Sequence, residues 1–373
     1  DGSCTMTGSW PSRIIIWPDA VGCQGLPAVL QRAGTRDVAW VDEGTGRRLS
    51  NGGDGDGARE GLHLRRLKGR FLVPCPGTRG YLCCGYQVLR VGENCNMACA
   101  YCVLSSYFEG RTVVAHVNWG SMWEELSERL LESGFRRIGT GEFTDSLSWD
   151  ALAGLAPRLV RFFSLRDNAL LELKTKSGYV DALREAEHGR GTMVSWSVNP
   201  PEIVRMVETG TATLEERIKA ACRVVEWGYG IGLHFDPLIW YPGWQGAYRS
   251  VVTALFRAIS PSRIVWISLG ALRFPSSMAG RSSSAALRRL TAHGEWVRGC
   301  DGKQRYYMPM RVEMYSTVAS AIREVAGNDV TVYLCMESPD VWRQSLGWAP
   351  GGSHEVADLL DRAALQWRRG NGG

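Results

Sequence analysis

The run Val91-Gly-Glu-Asn-Cys95-Asn-Met-Ala-Cys99-Ala-Tyr-Cys102 places three cysteines in a C-x3-C-x2-C spacing, directly after a strand-like run at 86–91. Three thiolates this close together can wrap one [4Fe–4S] cluster and ligate three of its four irons. The fourth iron is then open to chelate the amino and carboxylate groups of a small molecule. A zinc site would ask for four ligands, usually as two separated pairs. No second C-x2-C is present, although Cys83 or Cys84 would serve as a fourth ligand. Three unrelated buried cysteines are the remaining reading.

Outward from this run, strand-like segments alternate with helical ones. The strands are expected at 86–91, 137–141, 170–175, 193–198, 230–235, 263–269 and 330–334. Between them, 122–133 carries Trp123, Leu126, Leu130 and Leu131 at helical spacing. The segment 214–227 opens with Thr213 and Glu216 in capping-box positions. Serial β/α units of this kind predict an α/β fold built on a parallel sheet, a full or partial TIM-type barrel of about six units. In such barrels chemistry sits at the C-terminal ends of the strands, so functional residues are expected there. Upstream, 13–17, 24–33 and 37–42 read as a small N-terminal β-α-β subdomain. The expected organisation is an N-terminal unit at 1–80, a barrel with a C-terminal extension at 81–350, and a helix or tail at 351–373. The segment 51–56 (NGGDGD) is a loop by composition. The basic cluster 65–70 (RRLKGR) is a solvated face or a phosphate contact. The stretches 276–284 and 299–304 are expected as loops or an insertion.

The chain has 373 residues, 45% hydrophobic and 22% charged, a composition that excludes intrinsic disorder. No run of 18 apolar residues suggests a membrane span, and no signal peptide is read at the start. Eleven cysteines, an odd number without the spacing of a small disulfide scaffold, fit a reducing cytoplasm with metal or redox chemistry. The net charge of +5 permits a nucleic-acid partner without arguing for one. Fifteen tryptophans serve as core filling or as stacking surfaces for bases.

The cysteine spacing after a strand, with Tyr101 before the last cysteine, resembles the radical S-adenosylmethionine (AdoMet) superfamily. The resemblance implies that a reduced cluster passes one electron to the AdoMet sulfonium, giving methionine and a 5′-deoxyadenosyl radical that takes hydrogen from a substrate. It also suggests the rest of the cofactor site. Gly139-Thr-Gly-Glu-Phe-Thr-Asp145 looks like the position that holds the methionine amine, with Glu142 first and Thr144 and Asp145 next, or a plain turn. Lys174, or Lys176, would face the methionine carboxylate as a point charge, or be an ordinary surface lysine. Ser197 and Asn199 lie on one strand face and would bond the ribose, or cap a loop. His234, Asp236 and Arg273 follow the next strands as substrate candidates. His234 reads equally as a satisfied core residue, and Arg273 as the partner of a carboxylate.

The blocks at 196–204, 208–221, 226–232, 236–239 and 243–248 extend the resemblance to spore photoproduct lyase and its relatives. It is strongest over about 86–275. That family implies cleavage of a methylene-bridged thymine dimer in DNA, a cysteine that returns a hydrogen atom, and a tyrosine pair that relays the radical. Here Phe143 stands where the donor cysteine is expected. Tyr101 is present as one relay candidate, but Val103 occupies the position after the last cluster cysteine. Cys335, at the end of a late strand, is the candidate replacement donor or a structural cysteine. The segment Gln304-Arg-Tyr-Tyr-Met-Pro-Met-Arg311 resembles the part that faces DNA, with Arg305 on phosphate and Tyr306 or Tyr307 stacking or wedging, or it is an ordinary surface.

Three functions remain open at this stage. One is a lyase acting on a flipped thymine lesion or nucleotide-like substrate. A second is a relative that turns the same radical machinery on a small metabolite or nucleoside. A third is a non-catalytic iron–sulfur or DNA-binding protein. The first two call for AdoMet, a [4Fe–4S] cluster and a flavodoxin- or ferredoxin-type electron donor, and none calls for a membrane.

Overall fold

The computed structural model describes residues 11–34, 36–41, 61–77, 80–108, 112–281 and 285–370. The expected loop at 51–56 lies outside them. The central element is an eight-stranded sheet whose strands follow one another across it in chain order. They are β1 (Leu72–Pro74), β2 (Gln87–Leu89), β3 (Arg136–Gly139), β4 (Ala169–Thr175), β5 (Thr192–Ser197), β6 (Gly230–Leu238), β7 (Ile264–Ala271) and β8 (Val332–Leu334). Strands β2 to β8 are parallel, and β1 runs antiparallel to β2. All six residues of β5 and all eight of β7 are buried. That is the pattern of a parallel sheet covered on both faces, and it explains why these strands read as apolar runs in the sequence. Helices Ala156–Ser164, Leu214–Glu226, Met308–Ala326 and Ser353–Arg369 pack on the sheet. Thr213 and Glu216 form the expected capping box.

The barrel is partial. Strands β1 and β8 end the sheet, and among the described residues the gap between them is crossed by a single bridge, where Leu82 N–H donates to Glu337 O at 2.9 Å. A wall not anticipated from the sequence stands beside β7. Arg273–Pro275, Lys303–Tyr306 and Trp296–Arg298 form a three-stranded antiparallel sheet. The expected loop at 276–284 begins instead as a helix, Ser276–Arg281, and 282–284 lie outside the described residues. Of the expected loop at 299–304, the end is the start of the strand Lys303–Tyr306.

The N-terminal β-α-β unit is present as Arg13–Ile16, Gly25–Gln31 and Asp37–Trp40. Its sheet also recruits Gly61–Arg65, Val113–His116 and Gly92–Glu93, so residue 80 is not a seam. The last two strands flank the cysteine run on either side, and Asn94 Nδ2 donates to Thr112 O at 2.9 Å. The cysteine loop is therefore a projection held at both ends by a separate sheet. In the basic cluster, Arg65 pairs with Asp19 at 3.0 Å and covers the Trp17 ring, while Arg66, Lys68 and Arg70 are exposed. Trp196, Trp244, Trp266 and Trp342 are wholly buried and fill the core.

Gly92 begins this projection with no room for a side chain. A Cβ there would strike the Val114 carbonyl and sit 3.1 Å from Trp149. Gly92→Ala should cost about 1–3 kcal/mol by overpacking. Denaturant unfolding checks this, and an unchanged midpoint would contradict the close packing.

Candidate active site

The parallel strands deliver their C-terminal ends to one cavity of about 1100 Å³. Cys95, Cys99 and Cys102 line one side, with Tyr101 beside them. The short strand Ala98–Cys99 pairs antiparallel with Glu208–Thr209, and Ala100 N–H donates to Val207 O at 2.8 Å. Burial raises the Cys95 thiol above its ordinary value and pushes Cys99 up to about 12. Cys95 and Cys99 thus meet the cavity as neutral thiols, where positive irons would favour their thiolates. Cys83 and Cys84 line a different cavity, so neither supplies a fourth ligand here. The donor set fits a cluster with one corner left open.

Beneath this loop lies a buried ion pair. Arg217 Nη2 donates to Glu208 Oε2 at 2.5 Å, and both side chains are fully buried. Arg217 also donates to the carbonyls of Ser197 and Ala212, at 2.8 and 2.9 Å. The other Glu208 oxygen accepts from the Tyr101 hydroxyl and from Asn199 Nδ2 at 2.9 Å. Tyr248 donates to Asn199 Oδ1 at 2.7 Å. Asn199 is therefore engaged in this network and does not line the cavity, whereas Ser197 does. The Tyr101 hydroxyl is likewise committed to Glu208.

The turn after β3 supplies Glu142, Thr144 and Asp145 to the cavity wall. It approaches β4 so closely that a Cβ on Gly141 would lie 2.6 Å from that of Lys174. Asp145 organises the turn. Its oxygens accept from Leu147 N, Ser148 N, Thr175 Oγ1 and Lys176 N at 2.7–3.0 Å. The Thr144 hydroxyl donates to Asn94 O and accepts from Trp149 Nε1 at 3.0 Å, which ties the turn to the cysteine loop. Glu142 also lines the cavity, and its carboxylate takes no part in the turn's own hydrogen bonds; Cys75 Sγ lies 3.9 Å from its Oε1. Phe143 packs edge-on against Phe108, with ring centroids 6.0 Å apart, and is not among the lining residues. The residue this turn presents to the reacting space is thus Glu142, not the one at 143.

Lys174, Asp236 and Arg273 complete the floor. Arg273 donates to both Asp236 oxygens at 3.2 Å. Burial alone would raise the Asp236 carboxyl, but Arg273 and then Lys174 outweigh it and bring it down to about 2. Burial would lower Lys174, yet Glu142, Asp236 and Glu172 hold it above its usual value, so it stays charged. A carboxylate and an ammonium beside the cysteine wall match the amine and carboxylate of an amino-acid end.

Glu142, Lys174, Asp236, Arg273 and Met336 also line a second, inner cavity of about 570 Å³, behind the first. It is also lined by Cys75, Cys83, Cys84 and Cys335. His234 lies here, with Nε2 2.8 Å from Glu172 Oε1, which also accepts from Ser195 Oγ at 2.5 Å. Burial opposes ionisation of Glu172, but His234 and these hydrogen bonds take its carboxyl down to about 2. Arg273 Nη2 donates to Cys335 Sγ at 3.5 Å, and burial pushes that thiol up to about 12. Among the described residues no tryptophan lines either cavity.

Arg305 and Tyr306 are not on a surface. Arg305 is 2% exposed, pairs with Asp301 at 2.9 Å and donates to Met336 O at 3.2 Å. Tyr306 is buried, stacks on Trp296 and accepts from Trp240 N at 3.1 Å. As neighbours on a strand they point to opposite faces, and both faces are covered here, against the expected contact with a polyanion. Tyr307 alone of the three is exposed. Sequence reasoning missed Lys303, Tyr107 and Met336 on the cavity walls. It noted Glu208 and Arg217 only within a block of resemblance.

The sequence model of the spore photoproduct lyase family matches residues 85–274, which contain the cysteine loop and strands β2 to β7. The chain belongs to the spore photoproduct lyase family. Spore photoproduct lyase of Bacillus subtilis is 27% identical over 168 residues, covering 44% of this chain and 49% of the relative. That of a Geobacillus strain is 25% identical over 172 residues, 45% of this chain and 50% of the relative. The chain spans about half the length of the curated relatives it matches. In three dimensions, a spore photoproduct lyase mutant with dinucleoside spore photoproduct superposes with a TM-score of 0.73 at 18% identity, covering 88% of this chain and 99% of that one. A second mutant structure, with bound AdoMet and dinucleoside spore photoproduct, gives 0.71 at 18%, covering 87% and 98%. These likenesses establish the family's fold across nearly the whole molecule.

Two outcomes test the buried charges. Arg217→Ala strands Glu208 without its counter-ion and should destabilise the protein by about 3–5 kcal/mol; an unchanged melting temperature would deny the pair this role. Glu172 titrates lower in the folded state than its ordinary 4.5. Its stabilising contribution is full above that value and is lost as pH falls toward 2. His234→Ala should lift the folded value, so acid unfolding followed by circular dichroism should begin at higher pH.

Proposed function

We propose that this protein is a radical AdoMet enzyme that acts on a thymine-derived lesion or a related nucleotide-like substrate. The observation that carries the reading is the convergence of Cys95, Cys99 and Cys102 with Glu142, Lys174, Asp236 and Arg273 on one cavity at the strand ends. In this reading the three cysteines hold a [4Fe–4S] cluster, and Glu142 and Lys174 hold the amine and carboxylate of AdoMet. When bound and reduced, the cluster supplies the electron that cleaves AdoMet to methionine and a 5′-deoxyadenosyl radical. Ser197, which lines the same cavity, would bond the ribose in this reading. The Asp236 carboxylate and the Arg273 guanidinium put both an acceptor and donors on the cavity wall for a polar base edge. Family membership and the substrate named in the related structures support a thymine-type ligand.

A radical left on the substrate must regain a hydrogen atom. Cys335 is our candidate donor. Its thiol remains protonated at neutral pH, as hydrogen-atom transfer requires, and Arg273 holds it at the back of the floor. The S–H bond breaks homolytically, the hydrogen joins the substrate carbon, and the sulfur keeps one electron as a thiyl radical. Cys75 faces the same inner cavity and is the natural control. A second reading, a relative that modifies a small metabolite or nucleoside, is favoured by the burial of Arg305 and Tyr306. The electron would come from a flavodoxin- or ferredoxin-type carrier in the cytoplasm. No helix among the described residues is long and apolar enough to cross a membrane.

Anaerobic reconstitution with AdoMet, reductant and a dinucleotide photoproduct tests the reading. Cys99→Ala should abolish both the brown chromophore and formation of 5′-deoxyadenosine; persistence of either would overturn the ligand assignment. Cys335→Ala should keep AdoMet cleavage but lower correctly reduced product at least tenfold, an effect absent from Cys75→Ala.

A further inference from the structure

The antiparallel wall beside β7 carries more positive charge than its carboxylates neutralise. In the pairing of Arg273–Pro275 with Lys303–Tyr306, Arg273 lies opposite Arg305 and Pro275 opposite Lys303. The three cations share two carboxylates. Asp236 receives Arg273 at 3.2 Å through both oxygens. Asp301 receives Arg305 Nη2 at 2.9 Å. Lys303 is left with a contact of 3.9 Å to the same Asp301. It is the member of this group with the weakest partner, and its side chain lines the outer cavity. Burial, followed by the nearby Arg273, lowers its affinity for a proton, the expected response of a half-buried cation short of counter-charge.

We infer that Lys303 holds an anionic oxygen group of the substrate, the phosphodiester of a dinucleotide-type ligand. The inference rests on the nucleotide-like reading above. The other source of such an anion is the AdoMet carboxylate, but its cations stand elsewhere. Lys174 and Lys176 project from the end of β4, and Lys176 is the foremost charge acting on Cys99 and lies 5.8 Å from the centre of the Tyr101 ring. Lys303 comes instead from the antiparallel wall that follows β7 in the chain, paired with the strand Arg273–Pro275. An ammonium on a flexible stem suits this task, since it meets phosphate as a point charge without a fixed fork. The Asp236–Arg273 pair would meet the base edge while Lys303 meets the backbone.

The test compares two ligands on the reconstituted protein by equilibrium binding: the dinucleoside spore photoproduct, which lacks the bridging phosphate, and its phosphodiester-linked counterpart. The wild-type protein should prefer the phosphodiester form, with an affinity that falls as salt rises. Lys303→Gln should weaken that form by about tenfold, the scale of one charged hydrogen bond, flatten its salt dependence and leave the dinucleoside and AdoMet unchanged. Lys303→Arg should retain most of the preference. Equal loss for both ligands, or loss of AdoMet affinity instead, overturns the inference while leaving the nucleotide reading intact. Failure of the wild-type protein to bind either photoproduct overturns both.

Discussion

Glu208 and Arg217 form a salt bridge with no access to water, and the site is arranged around it. A charged pair in such a place is tolerable only if every remaining polar atom is satisfied. Here Arg217 reaches carbonyls at the end of β5 and before its own helix, while Glu208 takes the Tyr101 hydroxyl and the Asn199 amide. One carboxylate thereby ties together the cysteine loop, the end of β5 and the helix that follows. The backbone pairing of Ala98–Cys99 with Glu208–Thr209 repeats that link. A loop that must present three sulfurs in fixed relation cannot rely on its own few residues, and this network supplies the missing rigidity.

The same logic governs the cavity floor. Its charges stay ionised because they are paired, not because they are wet. Asp236 and Glu172 are held as carboxylates by Arg273 and His234. At Cys335 burial outweighs the contact from Arg273 and keeps the thiol protonated, whereas the hydrogen bond from Cys84 takes Cys83 down to about 6. Fixed ions and the neutral thiol of Cys335 therefore share one floor. This combination binds a polar ligand while preserving an S–H bond behind it.

Departures from family expectation gain meaning from orientation. Phe143 was expected at the donor position, yet its ring packs on Phe108 and Glu142 faces the cavity. Arg305 and Tyr306 resemble a DNA-facing pair in sequence, yet packing on both faces of their strand buries both. A motif specifies residue types in order. Which of two neighbours points toward a ligand depends on backbone direction, and one residue of shift reverses it.

The amino-acid sequence alone determined the strand series, the capping box at Thr213 and Glu216, and the cysteine loop after the first parallel strand. These are local matters of periodicity, capping and spacing, written in contiguous residues. It also marked Glu142, Lys174, Asp236 and Arg273, because parallel strands must end on a common side. Only the tertiary structure decided that the barrel stays open and that Asn199 and Tyr101 serve a buried network. It alone brought Lys303 from a segment that reads as a loop to the cavity wall, and gathered Cys75, Cys83, Cys84 and Cys335 around one chamber. Those outcomes depend on pairings between residues far apart in the chain, and on the requirement that each buried charge find a partner, which no local pattern encodes.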